Sequence, residues 1–169
     1  ITGVSSGIGE AFLRLTEKIN SHYLIIGVGR SNIKDYSNKH YYFYQLDITD
    51  QNKFNNLKKF IETKYGRLDI LINNASIGIK GSVEEMPDKD IMQQFAVSFF
   101  GPIEIIRTLL PLMKSHHSGQ IINITSLSGF VPTPTLGYYS AAKAALYNIS
   151  QVLAYELKPW NIKVSCFSP

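Results

Sequence analysis

Five short, nearly continuous apolar runs recur along the chain, and between them the apolar residues switch to helical spacing. The runs cover residues 23–28, 41–46, 68–72, 120–124 and 162–167. Runs of this length suit strands in a parallel sheet, and strands that alternate with helices form βαβ units with right-handed crossovers. Helical periods are read over residues 8–19, 54–65, 88–113 and 138–157, the last stopped by Pro159. Phe54, Leu57, Phe60, Ile61 and Tyr65 share one helix face, with Asp50 read as the N-cap. Pro102 and Pro111 are expected to kink or divide the long helix that holds them. The expected fold class is α/β: a doubly wound parallel sheet in a three-layer α/β/α arrangement, one domain over residues 1–169. Ile1-Thr2-Gly3 runs straight into a glycine turn and the last run stops at Ser168-Pro169. The sheet is therefore expected to be truncated at both ends, as part of a longer chain.

Composition narrows the function classes. Seventeen Lys and Arg against thirteen Asp and Glu give a net charge of +4, scattered without a basic stripe or interleaved aromatics. Nucleic acid is therefore not an expected partner. No apolar run approaches the roughly 18 residues that span a bilayer, so no membrane segment is expected. Cys166 is the single cysteine, which excludes an intramolecular disulfide and a cysteine zinc site. It is in keeping with a reducing, cytoplasmic setting. His116 and His117 sit in a polar turn and are not read as metal ligands.

Four local features carry chemistry. Thr2-Gly3-Val4-Ser5-Ser6-Gly7-Ile8-Gly9 is a glycine-rich turn entering a helix, whose free N–H groups and dipole suit a pyrophosphate. A glycine triplet alone is equally compatible with a plain turn. About 20 residues further on, where dinucleotide sites that take NAD place an acid, the chain has Gly29-Arg30-Ser31. A forked cation there suits a 2′-phosphate, so NADP(H) is expected over NAD(H); the alternative is a solvated loop arginine. Tyr139 and Lys143 stand at i and i+4 on one helix face. An ammonium beside a phenol favours the phenolate, which makes Tyr139 a usable acid or base. Tyr138 is the other phenol nearby, but at i, i+5 it would face away from Lys143. Ser126 lies at the carboxyl end of an isoleucine-rich run, where ligands of open α/β sheets bind and where a hydroxyl can donate to a carbonyl oxygen. Many serines in such turns only satisfy backbone groups.

Together these features resemble the short-chain dehydrogenase/reductase family, in its single-domain branch with a Rossmann-type fold, over essentially all of the chain. Gly3, Ser5, Ser6, Gly7, Ile8 and Gly9 match the family's cofactor turn. The resemblance implies that Asp47 holds the adenine amino group with Ile48 beside the ring, and that Arg30 and Ser31 meet the ribose phosphate. Asn74, Ala75 and Ser76, within Asn73-Asn74-Ala75-Ser76, resemble the family's Asn-Asn-Ala-Gly segment along the cofactor, and Pro169 is placed there too. Ser126, Tyr139 and Lys143 match the family's serine, tyrosine and lysine, with Tyr139 and Lys143 also touching the cofactor. Two positions depart from the pattern. Ser98 stands where members carry an asparagine that holds a proton-relay water, and Ser76 stands for glycine.

The resemblance implies hydride transfer between nicotinamide C4 and a carbonyl or secondary alcohol carbon. It implies a small-molecule substrate, shaped in part by residues 77–82 and 128–136. It also implies a homodimer or homotetramer through the helices at 88–113 and 138–157, with Ile105, Leu109, Leu146 and Leu153 facing either that interface or the sheet. A cofactor-binding sensor or scaffold without turnover is the rival, favoured by Ser98 and opposed by the intact Ser126, Tyr139 and Lys143. An extended-branch epimerase or dehydratase is disfavoured by the three residues between Gly3 and Gly7.

Overall fold

The computed structural model describes residues 1–19, 23–33, 36 and 39–169. Its elements alternate: helix α1 (Gly7–Lys18), strands β1 (Ile25–Gly29) and β2 (Tyr41–Gln45), helix α2 (Phe54–Tyr65) and strand β3 (Ile70–Asn73). Helices α3 (Asp88–Phe95) and α4 (Gly101–Lys114) follow, then β4 (Gly119–Ile124), α5 (Gly137–Glu156) and β5 (Ile162–Phe167). Every strand pair is parallel: β1 with β2 from Ile25↔Tyr41, β3 with β4 from Ile70↔Gln120, and β4 with β5 from Gly119↔Ile162.

Ile1, Thr2 and Gly3 join the two halves of the sheet. The Val28 N–H donates to the Ile1 carbonyl and the Gly3 N–H to the Val28 carbonyl, each at 2.8 Å. On the other side the Thr2 N–H donates to the Ile72 carbonyl at 3.0 Å. The order in space is β2, β1, residues 1–3, β3, β4, β5, so the chain runs outward one way, returns to the middle and runs outward the other way. This is the doubly wound Rossmann-type arrangement, with its switch point beside Ile1–Gly3.

Alternation along the strands divides the side chains between two faces. Ile26, Val28 and Tyr44 join a core with Phe54, Leu57 and Ile61 of α2, Ile105, Ile106 and Leu109 of α4, and Leu153 of α5. Ile25, Tyr41 and Phe43 point the other way, toward Val4, Leu13, Ile33 and Tyr36. The aromatic run in β2 is thus bulky strand cover: Tyr42 and Tyr44 meet Phe60 with ring centroids 4.7 and 5.2 Å apart. Full burial of a large apolar side chain such as Phe54 or Leu57 contributes about 1.5–3 kcal/mol. β5 is covered on one face only, since Lys163, Ser165 and Phe167 are exposed while Ile162 is buried.

Several local expectations change. Asp50 does not cap α2. A 3₁₀ turn, Gln51–Lys53, precedes that helix, and the Asp50 carboxylate pairs with Lys53 at 2.9 Å instead. The long helix is not divided at its prolines. Helical backbone runs from Asp88 to Lys114, and its irregularity is a π turn, Ala96–Phe100, upstream of Pro102. Pro102 comes just after that π turn, so the residue that lacks an N–H coincides with the break in the regular ladder, where the Gly101 N–H reaches back to the Ala96 carbonyl. By length and hydropathy this 27-residue helical stretch could cross a membrane, a match the short apolar runs did not suggest. Here Ile105, Ile106, Leu109, Leu112 and Met113 are buried in the core instead. Ile105, Leu109 and Leu146 are equally buried within the chain, so they face the sheet and not a partner.

Candidate active site

A cleft of about 670 Å³ opens at the carboxyl ends of the strands, where the sheet order reverses. Gly3, Ser5, Ser6, Gly7, Ile8, Arg30, Ser31, Asp47, Ile48, Asn74, Ala75, Ser76, Tyr139, Lys143 and Pro169 all line it. Three residues read as part of the site do not: Gly9, Ser98 and Ser126.

The floor is the glycine turn, and its shape is enforced by close packing. Gly3 has φ +70°, and a Cβ on it would lie 2.7 Å from the Ala75 Cα. Asn74 Nδ2 donates to the carbonyls of Thr2 and Gly3 at 3.0 and 2.9 Å. In return, Thr2 Oγ1 accepts from the N–H groups of Asn74 and Ala75, both at 3.0 Å. The segment after β3 therefore clamps the turn before α1. Gly9 lies beneath the turn, not in the cleft, with its Cβ position 2.2 Å from the Gly3 carbonyl oxygen. Ser6 is the N-cap of α1 but makes no side-chain cap bond. The first N–H groups of a 12-residue helix are thus left facing a cleft lined by Ser5–Ile8.

At one end of the cleft Arg30 is exposed beside Asp47. Asp47 Oδ1 accepts from the Thr49 N–H at 2.9 Å and from its hydroxyl at 2.8 Å. Burial works against ionisation of Asp47, but the Thr49 bonds and the charges of Arg30 and Lys53 outweigh it and hold the carboxyl below its ordinary range.

At the other end Lys143 is almost fully buried. Its Nζ donates to the Ile124 carbonyl at 2.7 Å and lies 5.8 Å from the centre of the Tyr139 ring. Among the described residues it has no carboxylate partner, so two of its protons remain for other acceptors. Tyr138 is turned away, its hydroxyl donating to the Val83 carbonyl at 2.9 Å. Ser126 sits at the rim, next to Thr125, and starts a 3₁₀ turn, Leu127–Gly129. Its Oγ accepts from the Ser128 N–H at 3.2 Å, which leaves its own proton to donate. That turn packs on α5, with the Gly129 Cβ position 3.1 Å from the Ala144 nitrogen. Ser98 is buried in the π turn behind Ser76, with 3.0 Å between the two hydroxyl oxygens.

Burial lowers the Lys143 ammonium from its ordinary 10.5 to about 8. A cation whose pKa falls on folding penalises the fold wherever it stays charged, so the penalty is full below about pH 8 and fades toward pH 10.5. The unfolding free energy of the wild type, measured relative to Lys143→Met, should rise by about 3 kcal/mol across that window. A difference that stays flat in denaturant titrations would contradict the burial argument.

Other lining residues had no signal in the sequence: Lys89, Asp90 and Gln93 of α3, with Val97 of the π turn. They lie in a polar helical stretch that reads as a solvated face. Only the packing of α3 beside the segment after β3 brings them to the cleft.

The family model described as short chain dehydrogenase matches residues 1–169, and the chain belongs to that family. It is 37% identical over 172 residues to a probable short-chain type dehydrogenase/reductase of Helicobacter pylori, covering all of this chain and 62% of that protein. It is 32% identical over 169 residues to a 3-ketodihydrosphingosine reductase of Bacteroides thetaiotaomicron, covering all of this chain and 61% of that protein. The chain therefore spans about three fifths of the length of these relatives. Among solved structures, a short-chain dehydrogenase from Streptomyces avermitilis superposes with a TM-score of 0.93 at 33% identity, covering 100% of this chain and 64% of that one.

Proposed function

We propose that the chain binds NADP(H) and carries the catalytic residues of an oxidoreductase that interconverts a carbonyl compound and its secondary alcohol. The observation that carries this reading is the convergence on one cleft of an uncapped helix N-terminus, Arg30 at one end and the Tyr139–Lys143 pair at the other. Gly7, which lines the cleft with open space over its Cβ position, fits the close approach of a pyrophosphate. The relative named as a keto-compound reductase supports the carbonyl and alcohol class.

When bound, the nicotinamide supplies or accepts the hydride. In the reducing direction Tyr139 gives its phenolic proton to the substrate oxygen. Lys143, still an ammonium at neutral pH, favours the phenolate left behind, a charge fixed in place before reaction. Its remaining protons hold ribose hydroxyls. Ser126 donates its free proton to the same substrate oxygen as Tyr139. Retention of Ser126, Tyr139 and Lys143 together favours turnover over a cofactor sensor.

Arg30 carries the choice of NADP(H) over NAD(H). Loss of a charged hydrogen-bond partner costs about 1.5–3 kcal/mol, so Arg30→Ala should weaken NADPH by about 10- to 100-fold and NADH little. Parallel fluorescence titrations of the intact protein read both. Wild-type protein that binds NADH as well as NADPH would defeat the 2′-phosphate assignment.

A further inference from the structure

The π turn faces a hydrogen-bond cluster that the chemistry above does not use. Gln94 and Ser98, one turn apart, are both wholly buried. Gln94 Nε2 donates to the Ile77 carbonyl, and to Ser98 Oγ at 3.0 Å. Gln94 Oε1 accepts from the Ile79 N–H at 2.8 Å. Ser98 Oγ also meets Ser76 Oγ at 3.0 Å, the Ile77 N–H at 3.4 Å and the Ile77 carbonyl at 3.3 Å.

A hydroxyl has one proton and two acceptor sites. At Ser98 the Gln94 amide and the Ile77 N–H occupy the acceptors, and the proton goes to the Ile77 carbonyl or to Ser76. Every polar capacity of the Ser98 side chain is thus matched within the protein, and the Ser76 hydroxyl is within hydrogen-bond reach of it. The two serines that depart from the family pattern form one strut.

The strut holds a particular piece of backbone. Ile77 lines the cleft. A Cβ on Gly78 would sit 3.9 Å from Cδ2 of Tyr139, so this strand of backbone runs alongside that ring. Gln94 grips it on both sides of Gly78, by a carbonyl at Ile77 and an N–H at Ile79.

We propose that Gln94 and Ser98 are positioning residues: through the backbone of Ile77–Ile79 they fix the wall of the cleft that faces Tyr139, and so the seat of the nicotinamide. The Ser98 hydroxyl acts here as a strut. The inference rests on the proposed cofactor reading and goes beyond it, because it assigns the nicotinamide end to residues that touch neither cofactor nor substrate.

The test compares two ligands on the intact protein: NADPH, and 2′-phospho-ADP-ribose, which lacks the nicotinamide. The variants are Gln94→Met, which keeps volume but loses the amide, and Ser98→Ala, the milder change, which decides the matter if the first fails to fold. A seat that is formed only about a tenth of the time lowers the affinity of the group it holds about tenfold. NADPH affinity should therefore fall at least about tenfold in Gln94→Met and several-fold in Ser98→Ala, with 2′-phospho-ADP-ribose unchanged in both. Equal losses for the two ligands would mean general damage and overturn the proposal, as would no loss at all. Wild-type protein that binds 2′-phospho-ADP-ribose but gains nothing from the nicotinamide would overturn it as well. Failure of wild-type protein to bind either ligand would instead remove the cofactor reading, and this inference with it.

Discussion

Tyr139→Phe is expected to lower the rate of carbonyl reduction by about 100- to 10,000-fold while NADPH binds as before. Phenylalanine keeps the ring beside Gly78 and 5.8 Å from Lys143 Nζ, and loses only the proton the substrate oxygen takes. Tyr138→Phe is the control. It frees the Val83 carbonyl and loosens a loop at the cleft mouth, yet leaves the chemistry in place. Rates and cofactor titrations on the intact protein separate the outcomes. A Tyr139→Phe enzyme that turns over normally, or a Tyr138→Phe enzyme that is dead, would move the acid to a different residue.

Gly9→Ala is expected to cost about 3 kcal/mol or more of stability and to abolish cofactor binding. Its Cβ would fall 2.2 Å from the Gly3 carbonyl oxygen and 2.7 Å from Asn74 Nδ2, and the first of these is backbone that cannot step aside. Relief would require the turn to leave Asn74, which forfeits bonds to the Thr2 and Gly3 carbonyls. Gly7→Asn is the useful contrast: unlike the helical Gly9, Gly7 has a positive φ of +58°, but open space surrounds its Cβ position, and asparagine tolerates that backbone. Denaturant midpoints should therefore drop sharply for the first variant and slightly for the second. Equal drops would contradict the claim that close contact with the Gly3 carbonyl is what requires glycine at position 9.

Much of this architecture was legible in the sequence because it is written in short-range patterns. Apolar runs broken by helical spacing are enough to imply parallel strands with helical crossovers, and the order of glycines, Tyr139 and Lys143 carried the site. What the sequence withheld depends on contacts between distant segments. Asp50 looked like a cap because only the three-dimensional course of Gln51–Lys53 shows that a 3₁₀ turn intervenes. Pro102 and Pro111 looked like breaks, yet helical backbone runs through both and the irregularity lies in the π turn just before Pro102. Gln94 gave no signal, since a glutamine in a polar stretch reads as surface until the backbone of Ile77 and Ile79 is brought over it. The coupling of Ser76 to Ser98 was hidden for the same reason: two departures 22 residues apart become one contact only on folding.

The most direct test of the account is a crystal structure of the intact protein with NADP⁺ bound. The account predicts the pyrophosphate at the N-terminus of α1, the 2′-phosphate against Arg30, and the nicotinamide C4 edge opening toward Tyr139 with a substrate-sized gap, so that reacting atoms can come within about 3–3.5 Å. A cofactor lying elsewhere, or one whose nicotinamide points away from Tyr139 and Lys143, would contradict it.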